Sequence, residues 1–297
     1  ASWAGTSACA RDDILRMLSV PRSDQRSAAG DGGEGSALRL KAFAEQLASA
    51  LEQVVDNVVL FDEVDSTHAM ALRLIDQVEV EGLVLRPTVV LAGAQSRGTG
   101  RGGRRWLSPR GGLYLSWLSS GIRDEVANRL PMLAAAAACA TLADAGVTEA
   151  RIKWPNDILV DDRKLAGILV HCRRGTANRV TVSLGVNIVP ISETVEDASQ
   201  PPVSLTELIG ADAAAAALAG VAAGFVRGLV ASIADPEPAL ERWRHWLVHR
   251  PGDRIAVRVA SGAVESGRFA GLTEEGFLRL DQGSGERVIS GGDVIES

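Results

Sequence analysis

Apolar residues recur at helical spacing through residues 37–55, where Leu38, Leu40, Phe43, Leu47, Leu51 and Val54 form one stripe. This predicts an amphipathic helix. The pattern then tightens to a short apolar run over 57–64, read as a strand, and Ser66 or Thr67 stands where a second helix would be capped. The runs 89–92 and 113–118 predict two more strands. Residues 127–145 are apolar on most faces, which predicts a helix buried against a sheet and stopped by Gly146. Pro131 suits a first turn and puts the start of that helix close to Arg129. Residues 151–160, the turn Asp161-Asp162 and residues 163–170 predict a hairpin carrying Lys153 and Lys164 on its two arms. Residues 179–188 form a further strand, and 211–233 and 237–248 two further helices, the second with Trp243 and Trp246 for packing.

Pro251-Gly252 marks a boundary, because the period then switches from helical to two. Short alternating runs at 255–259, 267–272, 276–280 and 287–289, separated by Gly-rich turns, predict a small SH3-like barrel. At the other end, residues 19–36 are rich in Ser, Gly, Asp and Arg with little to bury. The expected organisation is a poorly ordered segment 1–36 with one short helix at 11–18, a main domain 37–250, and a C-terminal domain 251–297.

Composition narrows the class. At 297 residues and 46% apolar content, the chain can build one large core and a smaller one. The Ala-rich runs 134–140 and 213–223 look too short and too weakly apolar to cross a bilayer. No basic-then-apolar leader pattern opens the chain, so the cytoplasm is the expected compartment. Cys9, Cys139 and Cys172 are far apart and form no CxxC, which suggests neither a disulfide framework nor a zinc site. His245 and His249 lie one helical turn apart, but without the intervening Glu of HExxH they read as a helix face. No Gly-Lys pair occurs, which excludes a P-loop hydrolase.

Charge changes the picture at one loop. Between Gly82 and Arg123 there are seven arginines and no Asp or Glu, a local +7 in a chain of net charge −6. Arg97, Arg101, Arg104, Arg105 and Arg110 cluster around Gly98, Gly100, Gly102 and Gly103, between two strands. Glycines let backbone approach a ligand, and crowded arginines repel unless an anion joins them. The expected partner is a small anion rather than bulk nucleic acid, because the rest of the chain is acidic. The glycines also suggest a loop that is not ordered on its own.

The segment Lys153-Trp154-Pro155-Asn156-Asp157 followed by Lys164-Leu165-Ala166-Gly167-Ile168-Leu169 resembles, residue for residue, the biotin protein ligase family. The arginine loop, ending at Trp106, is similar to that family's Gly-Arg-Gly-Arg-x-Gly-Arg-x-Trp signature, with Thr99 in place of the first arginine and Gly102 at the x position. Asp65-Ser66-Thr67-His68 resembles the family's Asp/Gly-Ser-Thr-Asn segment, with His68 for the asparagine. Residues 183–187 resemble its Gly-x-Gly-Ile-Asn strand, with Ser183 for the first glycine. The resemblance covers about residues 57–297. It implies an α+β fold with a class II synthetase-like mixed sheet flanked by helices. With only 36 residues before the first firm helix, a winged DNA-binding module is not expected.

The resemblance further implies a two-step reaction. Biotin and ATP give biotinyl-5′-AMP, with Mg²⁺ screening the pyrophosphate, and biotin passes to a lysine of a biotin carboxyl carrier protein or domain of a biotin-dependent carboxylase. Ser66, Thr67, His68, Gln95, Gly98, Thr99, Gly100, Arg101, Lys153 and Gly167 would bind biotin. Arg104, Trp106, Asn156, Lys164 and Asn187 would bind the nucleotide. Lys153, Arg101 and Asp157 would carry the chemistry, Lys153 bridging the biotin carboxylate and the α-phosphate. With no arginine at Thr99, biotinyl-AMP would be held more weakly, or Arg97 would compensate. Neither nucleic acid nor membrane is an expected partner, and the assembly is expected to be a monomer or weak homodimer. A lipoate–protein ligase or octanoyltransferase of the same fold is the alternative. A non-enzymatic RNA binder is disfavoured, because no aromatics interleave the loop arginines.

Overall fold

The computed structural model describes residues 2–4, 33–193 and 200–296. The disorder expected of residues 1–36 falls mostly, and the helix expected at 11–18 wholly, outside these. The elements are β1 (Ser2–Ala4), α1 (Gly33–Ala50), β2 (Asn57–Val64), α2 (Thr67–Val80), β3 (Thr88–Gln95), β4 (Leu113–Ser120), α3 (Asp124–Asp144), β5 (Arg151–Lys153), β6 (Asp157–Val160), β7 (Arg163–Arg173) and β8 (Arg179–Val186). They continue as α4 (Leu205–Ile209), α5 (Ala211–Ala234), α6 (Glu237–Trp246), β9 (Arg254–Val259), β10 (Val264–Leu272), β11 (Leu278–Asp281), β12 (Glu286–Ile289) and β13 (Gly292–Glu296).

Strands β1 to β8 form one mixed sheet in the order β1-β2-β3-β4-β8-β7-β6-β5. Only β2 and β3 are parallel, and α2 is the crossover between them. The remaining five strands form a separate antiparallel sheet, β12-β11-β10-β9-β13, where the period-two pattern predicted a small β domain. The α+β architecture is therefore the one expected.

Helix α3 begins at Asp124, five residues earlier than Pro131 suggested. Asp124 and Glu125 sit in its first turn, where acidic side chains complement the helix dipole. Leu130 and Leu133 are fully buried, and that packing holds the helix through the position where Pro131 offers no N–H. Helices α3 and α5 are both long and apolar enough to cross a membrane by length and composition alone, which the Ala runs had not suggested. Small residues bring the two together: a Cβ on Gly224 would stand 2.2 Å from Thr141 Oγ1, and one on Gly228 would stand 3.3 Å from Ala137 Cβ.

The lysine segment also differs from expectation. Residues 151–160 are not one arm but two short strands, broken at Trp154-Pro155-Asn156 by a cis Trp154–Pro155 bond. Proline has no N–H to donate to the ladder, so the strand ends there. A second tight turn follows at Asp161-Asp162, both at positive φ (49° and 60°), as a two-residue hairpin loop requires. Lys153 is thereby moved one strand outward from the arm opposite Lys164.

The C-terminal sheet is tied to the main sheet at several points. Trp154 Nε1 donates to Gly276 O at 2.9 Å, and Arg101 donates to the backbone carbonyl of Gly292.

Candidate active site

The register of the main sheet builds a floor. Tyr114 pairs with Gly185, Gly185 with Gly167, Gly167 with Asp157, and Asp157 with Lys153. Directly paired residues share a face. The two glycines in this row leave a trough, and the Trp106 ring fills it: a Cβ on Gly185 would stand 2.7 Å from Trp106 Nε1, and one on Gly167 3.0 Å from its Cζ3. Neighbouring positions in the strands, such as Leu115, Ile152 and Ile158, are fully buried in the main core.

Over this floor lies a cavity of about 500 Å³. Ser66, Thr67 and His68 line it from the start of α2. Gln95, Thr99, Gly100, Arg101, Arg104 and Trp106 line it from the loop after β3. Asn156, Asp157, Lys164 and Gly167 come from the hairpins and Asn187 from the end of β8. Of the residues expected from the sequence, only Gly98 and Lys153 are not on the wall. Gly98 is needed for packing instead, since a Cβ there would stand 2.5 Å from both Trp106 O and Ser108 Oγ.

The arginine loop is a closed hairpin. Gly100 N donates to Arg104 O at 2.8 Å and Trp106 N to Gly98 O at 2.8 Å, with Gly102 (φ 68°) and Gly103 (φ 77°) at its tip. Each arginine of the loop and its flank has a carboxylate from another element. Arg97 reaches Asp65 at 3.7 Å, Arg105 reaches Glu193 at 3.0 Å and Arg110 reaches Asp62 at 2.6 Å. Arg101 and Arg104 share Asp293, at the far end of the chain. So an external anion is not required to hold the arginines together. Arg97 is exposed and does not line the cavity. Thr99 Oγ1 donates to Ser66 Oγ at 3.2 Å.

Lys164 and Lys153 share Asp157 as a neighbour but differ in their access to the cavity. Lys164 Nζ lies 2.7 Å from Asp157 Oδ1 and 5.2 Å from the centroid of the Trp106 ring. Its backbone is pinned by Lys164 N to Pro201 O at 2.8 Å and by Asn187 Nδ2 to Lys164 O at 3.0 Å. Lys153 is 7% exposed and ends the floor row on the same face as Asp157 and Gly167, although it does not itself line the cavity. Burial lowers its pKa, and Asp157 and Asp293 oppose that shift. Asn156 is tied to the fold, exchanging hydrogen bonds with Ile168 through its backbone O and its side-chain amide.

At the other end of the cavity a polar network is buried. Gln95 Oε1 accepts from Thr67 N at 2.7 Å, and Ser66 Oγ accepts from Ala69 N at 3.4 Å as the N-cap of α2. Ser116, which the sequence did not point to, and Ser183 join this network, and Ser183 Oγ lies 2.8 Å from His68 Nδ1. Burial, reinforced by the nearby His171, pushes the His68 pKa down to about 4, so the ring is neutral. Sequence reasoning also missed Pro201, Pro202 and Asp293. Pro201 and Pro202 lie in an irregular loop with no period to mark them. Asp293 is one acidic residue among many until the two sheets meet.

The sequence model of the Biotin/lipoate A/B protein ligase family matches residues 61–188, and that of the biotin protein ligase C terminal domain matches residues 252–295. A biotin–acetyl-CoA-carboxylase ligase of Paracoccus denitrificans is 31% identical over 264 residues, covering 78% of this chain and 97% of that protein. A protein of the same name from Mycobacterium tuberculosis is 30% identical over 245 residues, covering 77% of this chain and 85% of its own length. Among solved structures, the biotin protein ligase from Aquifex aeolicus in complex with biotin and ATP shares the fold, with a TM-score of 0.61, 23% identity, and coverage of 80% of this chain and 97% of that one. With these two family matches and a relative 31% identical over nearly its whole length, the chain belongs to the biotin protein ligase family.

Proposed function

We propose that this biotin protein ligase joins biotin to ATP in the cavity over Gly167 and Gly185, then transfers the biotinyl group to a lysine of a carrier domain. The carrying observation is that Lys164, Arg101 and Arg104 face one cavity whose far end bears the neutral polar groups of Ser66, Thr67, His68 and Gln95. Cations suit the two anionic reactants, and neutral donors and acceptors suit the biotin ring. A carboxylate attacking a phosphate at 4 Å meets a repulsion of ~4 kcal/mol at a surface-like dielectric. Fixed cations at the meeting point lower that barrier, most where charge develops. We assign this role to Lys164 with Arg101, and the nucleotide phosphates to Arg104. Lys153, buried beside Asp157, supports this cluster. Asp157, at 2.7 Å from Lys164 Nζ, holds the lysine for the substrate and is a candidate to orient the incoming acceptor lysine.

Among the described residues, no three His, Cys, Asp or Glu side chains are grouped to hold a metal. Mg²⁺ would therefore enter with the triphosphate rather than in a protein cage. A lipoate–protein ligase is less favoured, because the C-terminal match is to the biotin protein ligase domain. Both the acceptor, a biotin carboxyl carrier protein, and residence in the cytoplasm remain part of this proposal. The test mixes the protein, ATP, Mg²⁺, biotin and a biotin carboxyl carrier domain, and weighs the carrier by mass spectrometry. Biotin-dependent gain of one biotinyl group supports the proposal; an unmodified carrier, with lipoate driving pyrophosphate exchange instead, overturns it.

A further inference from the structure

We propose that His68 and Ser183 form a linked specificity pair, in which Ser183 fixes the His68 tautomer so that Nε2 offers a bare acceptor to a ring N–H of the substrate. This rests on the biotin reading above and assigns one end of that substrate to one atom.

The tautomer follows from hydrogen counting along a chain of hydroxyls. Gln95 Oε1 has no hydrogen, and its orientation is set because it takes the Thr67 backbone N–H at 2.7 Å while Gln95 Nε2 donates to Ser108 Oγ at 2.7 Å. Thr67 Oγ1 donates to the same Oε1 at 3.2 Å, which uses its only hydrogen. Ser116 Oγ must then donate to Thr67 Oγ1 at 2.9 Å. With that hydrogen spent, the 2.7 Å contact between Ser116 and Ser183 requires Ser183 to donate. Ser183 has no hydrogen left for His68, so in their 2.8 Å contact the hydrogen belongs to His68 Nδ1. Ser116 is fully buried and Thr67 and Ser183 nearly so, so the chain of hydroxyls is held largely by protein partners.

A neutral imidazole carries one N–H, so Nε2 is a lone-pair acceptor. His68 lines the cavity, and no described side chain or backbone group takes Nε2. Beside it, Ser66 Oγ accepts from Ala69 N and from Thr99 Oγ1, so its own hydrogen is free to donate into the same cavity. An acceptor next to a donor complements a urea, which offers an N–H next to a carbonyl. Residues 68 and 183 are both places where this chain departs from the motifs it otherwise resembles, and they are in contact with each other.

The test uses the whole chain and two readouts. Long-range ¹⁵N–¹H correlation spectra report the His68 tautomer, and calorimetry reports biotin affinity. His68 is expected as the Nδ1–H form in the unmutated protein, and Ser183→Ala should release it toward the Nε2–H form. His68→Phe, which keeps a ring of similar size without the acceptor, should weaken biotin about ten- to a hundredfold. Adding Ser183→Ala to His68→Phe should cost nothing further, since the serine acts through the histidine. An Nε2–H or doubly protonated His68 at neutral pH overturns the pair, as does unchanged biotin affinity in a folded His68→Phe protein. If the unmutated protein binds no biotin, the functional reading fails and takes this ligand assignment with it, while the spectra still decide the tautomer.

Discussion

Two lysines of one motif region divide by surroundings rather than by sequence. Lys164 faces the cavity with a carboxylate on one side and an indole face on the other, and both its backbone neighbours hold it there. Lys153 is buried one strand away, where burial lowers its pKa and the chain's own Asp157 and Asp293 oppose the shift. A cation placed where charge develops contributes directly to the barrier, whereas a buried one that does not line the cavity acts through its neighbours. Lys164→Ala should therefore slow biotin-dependent ATP–pyrophosphate exchange about 100- to 1,000-fold. Lys153→Met, which keeps the length of the side chain, should cost less than Lys164→Ala. The opposite order would return the bridging role to Lys153.

At the level of elements, the site depends on two strands that have no side chain at one register. Gly167 and Gly185 are paired across β7 and β8, and their missing Cβ atoms admit the Trp106 ring. The loop that brings Trp106 there is a hairpin closed by its own backbone, so the indole is delivered by a folded element and not by a loose coil. Gly185→Ala places a carbon 2.7 Å from Trp106 Nε1, closer than packing allows, and the ring must move. The expected result is a KM for ATP raised about tenfold with a much smaller change for biotin, because the ring-binding groups sit on α2 and β3. Steady-state kinetics with each substrate varied in turn checks this, and an equal rise for both would contradict it.

On the scale of the whole molecule, Asp293 joins the two sheets electrostatically. Burial works against its ionisation, but Arg101 and Arg104 outweigh burial and hold its carboxyl below the ordinary carboxylate range. A carboxylate depressed in this way contributes stability that is full above its ordinary pKa of about 4 and is lost as pH falls through its lower folded value. Asp293→Asn should remove about 1 kcal/mol at neutral pH, allowing for solvent screening of a partly exposed pair. It should also make the stability curve less steep below pH 4. Urea melts across an acid series test both, and an unchanged acid limb in the variant would show that Asp293 does not link the two sheets.

Local pattern was enough for the element types, the change of period at Pro251, and the glycine and tryptophan positions, because these follow from spacing and backbone chemistry. The family resemblance brought Ser66, Gln95, Arg101 and Lys164 into one expected site, and they do share one cavity. Folding alone decided the rest. A proline-broken strand put Lys153 one strand outward from Lys164 and buried it, and carboxylates distant in sequence, such as Asp62 and Asp293, neutralised arginines that had seemed to need a ligand. Hydrogen bonds between α2, β4 and β8 linked His68 to Ser183 across 115 positions. Charge balance and hydrogen-bond direction depend on which groups meet in space, and a linear chain does not encode that in any short window.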